Sequence, residues 1–170
     1  MAAINPEDLF EQAGHLAKAP RAGPPKQVNV RRAISAAYYG LFHFVLTAAA
    51  DQFVGVTKRA TSEYWRVYRS VDHRALRELC EDIKKSKLPA KYVQHIPKSG
   101  IGPNIPKFAA AFVELQEKRH SADYDPSIRI SLSDAQSAIK AAKAATSRFK
   151  KATAVRRKAF LSLLLFPPRR

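Results

Sequence analysis

The sequence predicts an all-α protein, an up-and-down bundle of about five helices. Apolar residues recur at spacings of three and four along most of the chain, which is the period of a helix with one buried face. Segments rich in proline and glycine, at 19–25 and 97–106, separate these periodic stretches. No segment shows the strict apolar–polar alternation of a β-strand. This combination is typical of a helical bundle.

The first two predicted helices have clear signals. The run Asn5-Pro6-Glu7-Asp8 offers a cap, a proline and two acids at the first turn, and the apolar stripe Leu9, Ala13 and Leu16 follows it. The second helix is predicted over about 28–51. We expect one of its faces to be buried at Ile34, Ala37, Tyr38, Leu41 and Val45 and a neighbouring polar and aromatic stripe at Arg32, Ala36, Tyr39 and His43.

The remaining three predicted helices span about 61–87, about 105–124, and a segment that begins at Ser131 or Ser133. The first of these has a possible break near 71–73, where Asp72 could cap a second piece. The next one carries one stripe at offsets 0, 4, 7, 11 and 14, formed by Phe108, Phe112, Leu115, Arg119 and Ala122. The last is expected to bury Ala135, Ile139, Ala142, Thr146 and Phe149.

Charge is distributed unevenly. The net charge is +16, all fourteen acidic residues lie at or before Asp134, and the chain from 135 onward carries ten Lys or Arg. Such a field attracts nucleic acid, an anionic membrane or an acidic partner, although a solvated basic helix end gives the same composition. We divide the chain into a bundle at 1–150 and a basic and apolar extension at 151–170, whose FLSLLLF cluster is expected to fold back on the bundle or fill a dimer groove.

Three classes of protein are disfavoured by the sequence: disulfide-linked, secreted and membrane-spanning proteins. Cys80 is the single cysteine, which excludes an intramolecular disulfide framework and suits a reducing compartment. The N-terminus carries acids where a signal peptide carries Lys or Arg. The longest membrane-like run, at 41–50, has about half of the ~20 residues needed to span a bilayer. These features predict a cytoplasmic protein for which membrane binding is not expected.

Arg119 occupies a position of the fourth helix where the stripe requires an apolar side chain. An unpaired buried charge is costly, and Asp123 lies four residues on, on the same face of the helix. The pair is either a structural ion pair that fixes the register of the bundle, or an Arg held for contact with a phosphate or a dimer partner. Tyr124 adds a hydroxyl and a stacking face at the same end.

Three segments lie in this order on the predicted helices: RRAISAAYYGLFH (31–43), VDHRALRELCEDIKK (71–85) and RHSADYDP (119–126). Together they resemble the HEPN superfamily, and more narrowly its small stand-alone prokaryotic branch, over most of residues 5–150. The resemblance implies a helical bundle that often forms a homodimer and serves in toxin–antitoxin or anti-phage defence systems, often beside a nucleotidyltransferase that acts as the antitoxin. In nuclease members, an Arg and a His of an R-x4–6-H motif meet at the dimer interface and cleave RNA without a metal.

The sequence departs from that motif in its histidine. Arg119 matches the Arg position, but a matching His would fall at Tyr124, Asp125 or Pro126. His120 follows Arg119 directly and therefore lies about 100° around the helix. This departure leaves metal-independent RNA cleavage open.

His43 is the best substitute for the missing histidine, because it shares a stripe with Arg32 and Tyr39 and matches the His of the family's "FH". Its alternative role is a histidine at the edge of the core, hydrogen-bonded to a neighbour. His73, which follows Asp72, is expected to belong to a helix cap.

Two functional hypotheses follow. In the first, a HEPN-like homodimer binds or cleaves RNA or a nucleotide; its catalytic candidates are Arg119, Asp123, Tyr124 and His43, and its binding candidates are Arg32, Tyr39, His120, Arg156, Arg157 and Lys158. In the second, a non-catalytic interaction module uses the Arg119–Asp123 pair structurally and its basic C-terminus to bind a partner. The five histidines and Cys80 show no metal-ligand spacing, and no glycine-rich phosphate loop is present, so we expect neither metal nor cofactor.

Overall fold

The computed structural model describes residues 4–168, and this part of the chain forms α-helices and no β-strand. The predicted all-α class is confirmed, but the described residues form eight α-helices rather than five. The count differs because the third predicted helix divides into two pieces, a short helix follows it at 90–93, and the C-terminal extension forms a helix of its own. The helices are α1 (Pro6–Leu16), α2 (Gln27–Phe53), α3 (Ser62–Ser70), α4 (His73–Ile83), α5 (Ala90–Val93), α6 (Asn104–Tyr124), α7 (Leu132–Lys151) and α8 (Ala154–Leu165).

Helix α2 is the centre of the bundle and packs against α1, α3, α6, α7 and α8. It is long and apolar enough to cross a membrane, and 72% of its most apolar window is buried inside the fold. Gly40 permits the close approach of α1, because a Cβ at this position would lie 2.5 Å from Cε1 of Phe10. Any larger residue at this crossing would force the buried Phe10 ring to move.

The helix caps predicted from the sequence are present. The side chain of Asn5 accepts a hydrogen bond from the amide of Glu7 at the start of α1. Asp72 accepts a 2.7 Å hydrogen bond from the amide of Ala75 and so begins α4 after a break in the third predicted helix. At α7, Ser131 forms a reciprocal capping box with Asp134. These caps satisfy backbone donors that a helix start leaves unpaired.

Aromatic side chains join the C-terminal half of the bundle. Phe108 of α6, Phe149 of α7 and Phe160 of α8 are almost completely buried. The ring centroid of Phe108 lies 5.0 Å from that of Phe149 and 5.6 Å from that of Phe160. The apolar side chains of α8 thus pack against the bundle, and Phe160 lies in the same core as Phe108 of α6 and Phe149 of α7.

Candidate functional site

Arg119 lies in the last turns of α6, where the predicted stripe brings it against α2. Its side chain is 19% exposed and that of Asp123 is 18% exposed, although the end of α6 around Asp123 is open to solvent. The predicted pair is present: Arg119 Nε lies 2.7 Å from Asp123 Oδ2, an ion-pair distance at which the angle does not allow a hydrogen bond. Arg119 Nη2 donates a 2.9 Å hydrogen bond to the hydroxyl of Tyr39. The guanidinium is therefore held from two helices.

Three tyrosine rings surround this guanidinium. The rings of Tyr38, Tyr39 and Tyr124 have their centroids 5.7, 5.4 and 5.5 Å from Cζ of Arg119. These are cation–π distances, which favour the charged form of the arginine. Burial lowers the pKa of Arg119, but the neighbouring Tyr39 and Asp123 outweigh burial and raise it. Arg119 is accordingly charged at neutral pH.

Asp123 is held by a residue that sequence reasoning did not identify. The hydroxyl of Ser35, buried on α2, donates a hydrogen bond to Asp123 Oδ1, while Oδ2 faces Arg119. Both carboxylate oxygens are thus engaged, and the negative charge is balanced within the cluster. Ser35 lies one helical turn before Tyr39, so α2 supplies partners to both members of the pair.

Arg31 ties α2 to the end of α6. Its guanidinium donates to the carbonyl oxygens of Ala122, Asp125 and Ile128, at 2.9 Å for Ala122 and 2.8 Å for Asp125. Gln27, one turn earlier, hydrogen-bonds the amide and the carbonyl of Ile130 at 3.0 and 2.8 Å. These bonds satisfy carbonyls that the end of a helix leaves unpaired and fix the connection between α6 and α7. Arg32, the arginine predicted for the site, lies next to Arg31 in the sequence, and no sequence signal distinguished Arg31 from it.

We expect Arg31→Ala to destabilise the fold by about 2–4 kcal/mol, because it leaves three carbonyl groups without their charged donor. At about 2–4 °C per kcal/mol this lowers the Tm by roughly 4–16 °C, measurable by circular dichroism. Arg32→Ala is the matched control: it removes the same charge one residue away, and Arg32 is exposed. Its effect should stay within about 0.5 kcal/mol. Equal Tm values for the two variants would contradict the role given to Arg31.

Two histidines extend the cluster away from Arg119. His73 Nδ1 lies 2.6 Å from the hydroxyl of Tyr38, and its ring stacks on Phe42 with centroids 3.8 Å apart. His43 Nδ1 lies 2.6 Å from the hydroxyl of Tyr68. The assignment of His73 to a helix cap was wrong, because Asp72 is the cap and the His73 ring turns inward onto the aromatic residues of α2.

Both histidines favour the neutral form. Burial lowers the pKa of His43, and the nearby His73 lowers it further. Burial also lowers the pKa of His73; Arg119 adds to this effect, and Asp72 opposes it. Burial raises the pKa of Tyr38, so its hydroxyl stays protonated at neutral pH. The cluster therefore holds two neutral imidazoles beside a permanent cation.

These shifts predict an acid-sensitive fold. Because the folded-state pKa values lie below the unfolded value of about 6.5, the unfolded chain binds more protons below that pH, and the free energy of unfolding falls as the pH falls. We expect the Tm to decrease between about pH 7 and pH 5.5, above the range in which carboxylates titrate. The double variant His43→Gln/His73→Gln should show a shallower decrease, measured by thermal melts across this range. An unchanged pH dependence would show that other groups cause it.

Arg119 opens onto a cleft of about 530 Å³, here called the arginine cleft, which is lined by Val28, Arg31, Arg32, Tyr39, Arg119, Ala122, Asp123 and Tyr124. Within residues 4–168, no hydrogen bond uses Arg119 Nη1. A second cleft of about 550 Å³, here called the histidine cleft, contains His43 and shares Arg32 and Tyr39 with the first. Tyr39 separates the two, with its ring centroid 6.5 Å from that of His43.

The structure brings together some of the predicted site residues and not others. Arg119, Asp123, Tyr124, Tyr39 and Arg32 line the arginine cleft, and His43 lies in the adjoining cleft. His120 lines neither cleft; it is exposed, and its ring centroid lies 5.0 Å from that of Tyr124.

The basic candidates of the C-terminal extension lie on α8, which contributes no residue to these clefts. Arg156 donates to the carbonyls of Ser99 and Gly100, and Arg157 donates to those of Lys150 and Ala152. Lys158 is exposed. The guanidinium groups of Arg156 and Arg157 are thus used to attach α8 to its neighbours.

In the part of the chain that the structure describes, no three His, Cys, Asp or Glu side chains are grouped closely enough to hold a metal ion. Comparisons with protein-family models, with curated protein sequences and with solved structures found no significant match to this chain. The fold and the site by themselves define a helical bundle with the arginine cleft, in which tyrosines lie beside Arg119.

Proposed function

We propose that this chain is a cytoplasmic, HEPN-like homodimer of a toxin–antitoxin or defence system, which binds or cleaves RNA or a nucleotide in the arginine cleft. One observation carries the proposal: Arg119 is held rigidly by Asp123 and Tyr39, yet keeps Nη1 available at an open cleft beside the exposed ring of Tyr124. The motifs at 31–43, 71–85 and 119–126 support the family. They also suggest a nucleotidyltransferase or another antitoxin as the partner.

The chemistry of the arginine cleft suits a phosphate next to a base. A guanidinium binds phosphate through its planar donors, and Arg32 adds a second, exposed cation to the same cleft. Tyr124 is 63% exposed and offers a ring on which an unstacked base can lie. Asp123 does not repel the phosphate, because Arg119 and Ser35 occupy both of its oxygens.

His43 supports a cleavage reaction over simple binding. It lines the histidine cleft next to Tyr39, and its pKa is lowered, so its imidazole is neutral and able to accept a proton. The 2.6 Å hydrogen bond between Nδ1 and the hydroxyl of Tyr68 orients the ring, and when Nδ1 donates it, Nε2 is the nitrogen free to accept a proton. In this assignment Arg119 stabilises the phosphate charge and His43 takes the proton of the attacking RNA 2′-hydroxyl as its oxygen bonds to phosphorus. The P–O5′ bond breaks, and the leaving 5′-oxygen takes a proton from water.

Apolar side chains at the edges of the two clefts support the homodimer. Val28 and Tyr124 are 60% and 63% exposed beside Arg119, and Ile4, at the rim of the histidine cleft, is 48% exposed. Large apolar residues gathered around a polar site are typical of a protein–protein contact. A second copy that covered this face would bury them and enclose the cleft.

The second candidate function is a non-catalytic interaction module. On α2, Ser35 is hydrogen-bonded to Asp123 of α6, and Tyr39 to Arg119 of α6. This network, with the Arg119–Asp123 ion pair, favours the second function because it stabilises the packing of the two helices without any ligand. In that case the cluster is part of the scaffold and the basic C-terminal region binds the partner.

The deciding experiment incubates purified wild-type protein with end-labelled RNA in EDTA and separately measures nucleotide binding by calorimetry. The proposal expects cleavage or binding of RNA or a nucleotide, and a dimeric mass by light scattering. A monomer that neither binds nor cleaves at high protein concentration would contradict the proposal and leave the interaction module.

A further inference from the structure

The exposed face of α7 carries a row of cations outside the arginine cleft. Lys140, Lys143, Lys150 and Lys151 are exposed and lie within about 100° of one another around the helix axis; these four residues are here called the basic face. The opposite face of α7 is buried in the bundle at Ala135, Ala138, Ala142, Ala145, Thr146 and Phe149. Packing therefore fixes the direction in which the lysines point. No residue of α7 lines the arginine or the histidine cleft.

In the described part of the chain, the lysines of the basic face are not held in ion pairs, although Lys150 Nζ lies 5.5 Å from the ring centroid of Phe44. Among the ion pairs within residues 4–168, none includes any of these four lysines. Glu7 is one acid beside this face: it lines a cleft of about 420 Å³ with Lys143, Lys150 and Lys151 but is in no ion pair with them. Beyond Asp134, α7 and the rest of the chain contain no acid. The basic face therefore presents a field of one sign to solvent.

We propose that the basic face binds the phosphate backbone of a nucleic-acid duplex, without reading its bases. From Lys140 to Lys151 the helix rises ~16 Å. A duplex presents about nine or ten phosphate charges over that length. Between Lys140 and Lys151 the other exposed residues are Ala144, Ser147 and Arg148, so a backbone meets only small side chains and one further cation there. This surface acts independently of the reaction proposed for Arg119.

The residues of this face favour a duplex over an anionic membrane or a single strand. A helix that lies on a membrane inserts large apolar side chains, and α7 has none among the exposed large hydrophobic residues. A site for single strands uses aromatic rings to stack bases. Phe149, the aromatic residue of α7, is 1% exposed. What remains is contact with phosphates, which is strong at low salt and insensitive to sequence.

The test measures binding of a short, blunt-ended RNA duplex and a matched DNA duplex by fluorescence anisotropy over a range of salt. The triple variant Lys140→Gln/Lys143→Gln/Lys151→Gln should bind about tenfold or more weakly at about 0.1 M salt, with a salt slope smaller by about three. The control Lys87→Gln/Lys98→Gln/Lys107→Gln removes the same charge from exposed lysines outside α7. It should lose less than about threefold.

Equal losses in the two triple variants would overturn the proposal, because only net charge would then matter. So would retention of duplex binding in the α7 variant, or binding of wild type to phosphatidylserine vesicles but not to either duplex. Comparison of the RNA with the DNA duplex shows which source of phosphates the face prefers. The assay measures binding alone, so failure of RNA cleavage at the arginine cleft does not affect its outcome.

Discussion

Arg119→Ala is expected to abolish any action on RNA or a nucleotide and to lower the free energy of unfolding by about 2–3 kcal/mol. The first effect follows from loss of the phosphate-binding guanidinium, and the second from leaving Asp123 without its cation and Tyr39 without its donor. The Tm should fall by roughly 5–10 °C. RNA cleavage or nucleotide binding, measured beside thermal melts, separates the two effects.

Two further variants make this test specific. Arg119→Lys keeps the charge and part of the stability but loses the planar donor set. The loss of RNA cleavage or nucleotide binding should therefore persist, while the Tm partly recovers. Lys118→Ala removes a neighbouring charge from an exposed pair with Glu114, and it should change the free energy of unfolding by less than about 1 kcal/mol. If wild type acts on RNA and Arg119→Ala retains that activity, the site lies elsewhere.

Phe160→Ala should be among the most destabilising single changes in the chain, at about 3–5 kcal/mol. The ring is fully buried and packs edge-on against Phe108 and Phe149 at centroid distances of 5.6 and 5.8 Å. Its removal leaves a cavity where α6, α7 and α8 meet. The expected fall in Tm is about 10 °C or more, by calorimetry or circular dichroism.

Phe166→Ala is the matched control, since it deletes the same side chain six residues later. Phe166 is 67% exposed and makes an edge contact with Phe53 at 5.8 Å, so its loss should cost less than about 1 kcal/mol. A similar stability for the two variants would mean that α8 does not pack on the bundle in solution.

The sequence was sufficient to predict those features that lie within a single helix. The stripe from Phe108 to Ala122 is buried as its spacing predicted, and the Arg119–Asp123 pair follows from a separation of four residues on one helix. The caps at Asn5, Asp72 and Ser131 are equally local. Each of these depends on helix geometry, which the order of residues determines directly.

Features that join two helices could not be predicted in this way. Arg31 and Arg32 are adjacent and identical, and only the rotation of α2 against α6 directs the first to three carbonyls and leaves the second exposed. Ser35 had no signal beyond being a polar residue among alanines. His73 was misassigned because its partner, Tyr38, is thirty-five positions away.

The hold of α2 on the connection at 125–130 has a practical consequence for engineering the protein. Arg31 and Gln27 fasten this surface segment at Asp125, Ile128 and Ile130, so its ends are not free to separate. Surface loops are commonly chosen for inserted tags or for new chain termini in circular permutation. In this protein an insertion at 125–130 would release the end of α6 and displace Asp123, so the loop belongs to the site as much as the helices do.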